Sequence, residues 1–92
     1  MESKASKPLR AEDLVWRKID GEIVILTEDG RKIHTLNSVG SAIWELADGS
    51  KNLSEIEETI CERFDVTPEQ AENDITEFCR ELSEKNILQM ND

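Results

Sequence analysis

Few side chains in this 92-residue chain could serve as a nucleophile, a general base or a metal ligand. His34 is the single histidine, and Cys61 and Cys79 are the two cysteines. A structural zinc site takes about four nitrogen or sulfur ligands, and a hydrolytic triad needs a nucleophile, a base and a group that orients the base. His34, Cys61 and Cys79 lie in three separate segments with no motif spacing between them, so neither arrangement is expected. Cys61 follows Ile60 and Cys79 follows Phe78 at apolar positions, where free cysteine commonly behaves as a small buried hydrophobe. The carboxylates of Glu55-Ile56-Glu57-Glu58 and of Glu69-Gln70-Ala71-Glu72-Asn73-Asp74 fall opposite apolar stripes. That is the pattern of a solvated helix face, not of buried acids with separated pKa values. The four glycines fit turns and helix ends, and none forms a phosphate-cradling loop. These residues predict no metal, no cofactor and no enzyme activity, which leaves binding as the expected function.

Composition narrows the partner. With 21 acidic and 11 basic side chains the formal net charge is −10, which disfavours nucleic acid and anionic lipid surfaces as partners. Two distant cysteines suit a reducing compartment, so the cytoplasm is expected. No run approaches the roughly 20 apolar residues of a membrane span, and no apolar secretory signal is present at the N-terminus. A chain this short builds one modest core, which rarely encloses a catalytic cavity.

The elements that must carry a binding surface are legible from periodicity. Leu14 to Ile19, Glu22 to Thr27 and Arg31 to Leu36 are β-branched-rich runs separated by Asp20-Gly21 and Asp29-Gly30. Asp-Gly suits tight hairpin turns, so an antiparallel meander with the second strand central is expected. After Leu36 the period becomes helical. Asn37 caps a first helix with the stripe Val39, Ile43, Leu46 and Ala47, ended at Gly49. Asn52 and Glu55 have capping-box spacing before the stripe Leu53, Ile56, Ile60 and Phe64. Thr67, with Pro68 at the first helical position and Gln70 three residues after Thr67, opens a third helix whose stripe is Ala71, Ile75, Phe78 and Leu82. Asn86 ends it, and Ile87 and Leu88 tuck back. The expected class is α+β, a winged-helix-like fold with a three-stranded antiparallel meander followed by three α-helices. Residues 1–12 read as a mobile tail, 13–89 as one domain and 90–92 as a frayed end. Trp16 and Trp44 are both assigned to the core.

The outer strands of a meander carry unpaired main-chain groups on one side. A peptide can join such an edge as an extra strand, and the third strand is the natural edge.

The run Leu36-Asn37, Gly40, Ile43-Trp44-Glu45-Leu46, Asp48-Gly49, Leu53-Ser54-Glu55-Ile56, Phe64, Asp74-Ile75, Phe78-Cys79, Leu82 and Ile87-Leu88 resembles the PqqD family over about residues 14–88. The resemblance rests on many short matches at consistent spacing. It implies a peptide-binding module, a RiPP recognition element. Such modules capture the leader of a ribosomally made precursor peptide and present it to a modifying enzyme, often a radical SAM protein. The namesake serves pyrroloquinoline quinone biosynthesis. Two features point to the wider group: Thr27-Glu28-Asp29-Gly30 stands where the namesakes have Pro-Glu-Gly, and Trp44 lies in an Ile-Trp-Glu-Leu block. By the same resemblance the leader lies along Arg31, Lys32, Ile33, His34, Thr35 and Leu36 and against Asp74, Ile75, Phe78, Cys79 and Leu82. Ile75, Phe78 and Leu82 also read as core, which makes Asp74 and Cys79 the expected rim. Arg31, Lys32 and His34 could steer an acidic leader.

Two other readings compete. An acidic module could dock a larger enzyme without touching a peptide. A winged-helix DNA binder would need Lys and Arg on its third helix, where this chain has acids.

Overall fold

The computed structural model describes residues 5–12, 14–26 and 33–91. Five strands and three helices are formed among these residues: β1 (Lys7–Arg10), β2 (Val15–Ile19), β3 (Glu22–Leu26), β4 (Ile33–Thr35), α1 (Ser38–Leu46), α2 (Leu53–Phe64), α3 (Pro68–Glu84) and β5 (Leu88–Asn91). The meander is present, in the order β2-β3-β4 with β3 central. Its first turn works as Asp-Gly turns do: Asp20 and Gly21 both take positive φ, at 52° and 85°, a backbone that glycine adopts without steric cost. The second Asp-Gly pair lies outside the described residues.

Each helix starts where its cap residue stands. Asn37 Oδ1 accepts the Gly40 N–H, and Asn52 and Glu55 satisfy each other's backbone N–H groups as a capping box. Thr67 Oγ1 accepts the Gln70 N–H ahead of Pro68. These bonds take up amide donors that the first turn of a helix leaves free. At the far end of α3, Asn86 turns the chain at φ 60° and sends Ile87 and Leu88 into the core.

The helices pack on one face of the sheet. Ile23 and Ile25 from β3 meet Ile43 and Trp44 of α1, with Ile56 and Ile60 of α2 and Ile75, Cys79 and Leu82 of α3 completing the cluster. A serine joins α1 to the sheet. The Ser41 hydroxyl accepts the Ile23 N–H at 2.8 Å and donates to the Leu36 carbonyl at 3.1 Å, beside the Leu36 N–H to Ile23 carbonyl bond of 2.8 Å. It replaces one rung of the β3–β4 ladder. Ser41→Ala should leave the buried Ile23 N–H and the part-buried Leu36 carbonyl without this partner and cost about 1–3 kcal/mol, read from the urea unfolding midpoint. Unchanged stability would mean that the strands close directly on each other.

Three expectations are corrected. The tail assigned to residues 1–12 contains β1, whose four residues pair antiparallel with β5 from Lys7↔Asn91 to Arg10↔Leu88, so Lys7–Arg10 and Met90–Asn91 are strand where a tail and a frayed end were expected. Four residues with one fully buried side chain, Pro8, carry too weak a local pattern to announce a strand. Trp44 is core at 0% exposure, but Trp16 is 37% exposed. Trp16 stands on the helix side of the sheet opposite Ile25. Because β2 is an edge strand, the ring reaches past the core and meets Trp44 edge-to-face at 6.0 Å. Arg10 closes this corner: its guanidinium lies 5.4 Å from the Trp16 ring centroid and donates to the Trp44 and Glu45 carbonyls at the end of α1. The last correction concerns Cys79, which is fully buried and belongs to the core, not to an accessible rim.

Candidate functional site

The site is built from the open edge of β4, the start of α1 and one face of α3. Among the described residues β4 pairs only with β3. The direction of its amides follows from the register. The Leu36 N–H points to Ile23, and amides alternate along an antiparallel strand. His34, opposite Ile25, therefore turns its N–H toward β3, whereas Ile33 and Thr35 turn theirs to the open side.

Beside that edge runs a groove of about 350 Å³ lined by Ile33, His34, Thr35, Leu36, Asn37, Gly40, Phe78, Glu81, Leu82 and Lys85. A second depression of about 240 Å³ shares Asn37, Gly40, Phe78 and Glu81 with it and reaches Val39, Ile43, Asp74 and Glu77. Together they make one continuous trough. Gly40 is its floor: a Cβ there would lie 3.4 Å from Phe78 Cε2 and 3.2 Å from Asn37 Oδ1, so the absent side chain is what leaves the trough open. Phe78, half-buried, forms the wall.

The expected residues divide into three sets. Ile33, His34, Thr35, Leu36, Asp74, Phe78 and Leu82 border the trough. Ile75 and Cys79 lie beneath it in the core. Arg31 and Lys32 fall outside the described residues. Sequence reasoning missed Asn37, Gly40, Glu77, Glu81 and Lys85. The last three were available from helical spacing, since Asp74, Glu77, Glu81 and Lys85 recur at three, four and four residues along one face.

Of the basic rim expected from Arg31, Lys32 and His34, only His34 lies among the described residues. The described lining carries the carboxylates Asp74, Glu77 and Glu81 along with Lys85 and His34. Gln70 Nε2 donates to Asp74 Oδ1 at 2.9 Å, and Lys85 Nζ lies 3.2 Å from Glu81 Oε1. Exposed pairs of this kind are worth little individually, so these carboxylates remain accessible to a ligand cation. Among the described residues, no three His, Cys, Asp or Glu side chains converge as a metal centre, and no helix is long and apolar enough to cross a membrane.

Two solved structures share this architecture. TbiB1, determined in complex with the TbiA(beta) leader peptide, is 32% identical over 88% of this chain and 94% of its own, with a TM-score of 0.78. The PqqD truncation of Methylobacterium extorquens PqqCD, described as a functional and stand-alone RiPP recognition element, is 23% identical, covering 89% of this chain and 87% of its own with a TM-score of 0.73; at that identity it speaks for the fold. Comparison with curated protein sequences finds no match. The family model for coenzyme PQQ synthesis protein D matches residues 22–88, which take in β3, β4, all three helices and the whole described trough, and the chain belongs to the PqqD family.

Proposed function

We infer that this protein is a non-catalytic recognition element that binds the leader of a ribosomally made precursor peptide as a strand added to β4, with leader side chains in the trough against α3. The observation that carries this reading is the juxtaposition of an open strand edge with a trough that Gly40 leaves unfilled. An added strand gains main-chain hydrogen bonds, and its alternate side chains gain pockets. TbiB1, of similar sequence and fold, holds a leader peptide, which supports the same ligand class here. The bound leader would be presented to a peptide-modifying enzyme in the cytoplasm. A radical SAM protein is the enzyme class that family membership favours, with pyrroloquinoline quinone assembly as one such pathway.

Proline substitution tests strand addition, because it removes one amide donor at a time. Thr35→Pro removes an outward amide and should leave the fold intact while weakening leader binding by roughly 2- to 13-fold, the equivalent of about 0.5–1.5 kcal/mol for one main-chain bond. His34→Pro removes an amide that faces β3 and should act mainly on stability. Calorimetric titration of each variant with the leader, beside its thermal melt, separates the two effects. Wild-type affinity in a folded Thr35→Pro variant would rule out pairing at this edge.

A further inference from the structure

The sheet face turned away from the helices is largely apolar, with Arg17 and, opposite Ile19, Glu22 as its charged residues. Val15 stands opposite Leu26, Arg17 opposite Val24, and Leu26 opposite Ile33, so these side chains share one face while Ile23 and Ile25 occupy the other. Val15 is 60% exposed, Ile19 54% and Ile33 67%. With Val24 and Leu26 they border a shallow depression of about 260 Å³, and Arg17 is the one charged residue among its described lining. Contiguous exposed apolar surface rimmed by charge marks a contact site.

We propose that this face docks the enzyme that modifies the peptide, by way of an apolar surface that carries a carboxylate opposite Arg17. Charge and area exclude the simpler occupants. A second copy stacked about a two-fold axis uses the same patch on both sides, which brings one chain of charge −10 against another. Strands of five residues span about 17 Å and three strands about 14 Å, so the face projects roughly 250 Å² where a stable complex buries about 800 Å² per partner. An anionic membrane is repelled by the net charge. A larger protein partner can gain the missing area by continuing over Ile33, which borders both this depression and the trough beside β4. The enzyme is then seated next to the bound leader, on one contiguous surface. The identity of the partner rests on the peptide-binding reading above; the existence of the docking face does not.

Val15→Glu and Arg17→Glu test this on exposed positions where the fold should tolerate change. Each is measured by calorimetric titration with the leader, by binding to the purified modifying enzyme encoded beside the precursor peptide, and by sedimentation velocity. We expect enzyme binding to fall by at least roughly ten-fold in each variant, with leader affinity within about two-fold of the parent and a monomer throughout. Parent-like enzyme binding in either variant would overturn the proposal, as would an equal loss of leader affinity. A parent dimer that the variants dissolve would name a second copy as occupant, and flotation of the parent with phosphatidylcholine vesicles would name a lipid surface. A parent that binds the enzyme but not the leader would refute the peptide reading and leave the docking face standing.

Discussion

Removing residues 1–11 should destabilise the protein by at least about 3 kcal/mol, a large share of the roughly 5–14 kcal/mol expected for a domain of this size. The deletion takes away β1 and with it the ladder to β5. It also removes four main-chain bonds that tie this segment to other elements: Arg10 N–H to the Ala47 carbonyl, Ala11 N–H to the Ile87 carbonyl, Gly49 N–H to the Pro8 carbonyl, and Leu53 N–H to the Ser6 carbonyl. The last of these serves the first residue of α2. The two Arg10 bonds to the Trp44 and Glu45 carbonyls go as well, where a cation favourably meets the negative end of α1. At about 1 kcal/mol net for each hydrogen bond, and with Ile87 and Leu88 losing cover, the loss outweighs the chain entropy that the deletion recovers. Urea unfolding of residues 12–92 beside the full chain measures the difference. Coincident transitions would make β1 a peripheral strand and would restore the reading of this segment as a tail.

Filling the trough should abolish peptide binding without unfolding the domain. In Gly40→Leu the new Cβ lies in contact with Phe78 and Asn37, and the remaining side-chain atoms must enter the space a leader residue would use. Overpacking costs about 1–3 kcal/mol, offset in part because leucine favours the helix over glycine by about 0.8 kcal/mol. The helix should therefore persist while leader affinity falls by roughly 100-fold, the equivalent of about 2.7 kcal/mol. The readout is calorimetry with the leader, and the control is the circular-dichroism melt. Parent-like affinity in a folded Gly40→Leu would remove the trough from the binding site and leave the strand edge alone to carry recognition.

The two experiments probe different links between sequence and function. The first tests whether a segment with almost no local signal is structural. The second tests whether a position read as a turn or helix-end glycine and as part of a family pattern is the floor of the site. The proline pair stands between them, since the direction of the β4 amides is set by register, and register by the bond from the Leu36 N–H to Ile23.

By itself the sequence determined features that depend on neighbours a few residues away. Asn37, Asn52 and Thr67 cap their helices, Asp20-Gly21 makes its turn, and the stripes of α2 and α3 bury Ile56, Ile60, Ile75 and Leu82, because caps, turns and amphipathic faces are local in origin. The order β2-β3-β4 followed by three helices was legible for the same reason. Only the tertiary structure decided what depends on residues far apart in the chain. Lys7–Arg10 becomes a strand because Leu88–Asn91 lies beside it, and four residues cannot advertise a partner at the other end of the molecule. Trp16 and Trp44 carry the same side chain, but an edge strand leaves one partly in solvent while a buried helix encloses the other. Phe78 and Cys79 are adjacent in sequence, and the angle at which α3 meets α1 and β4 turns one to the trough and the other to the core. The trough itself exists only where β4, the first turn of α1 and α3 converge, with a glycine at their meeting point, and no spacing within one element encodes the gap left between three.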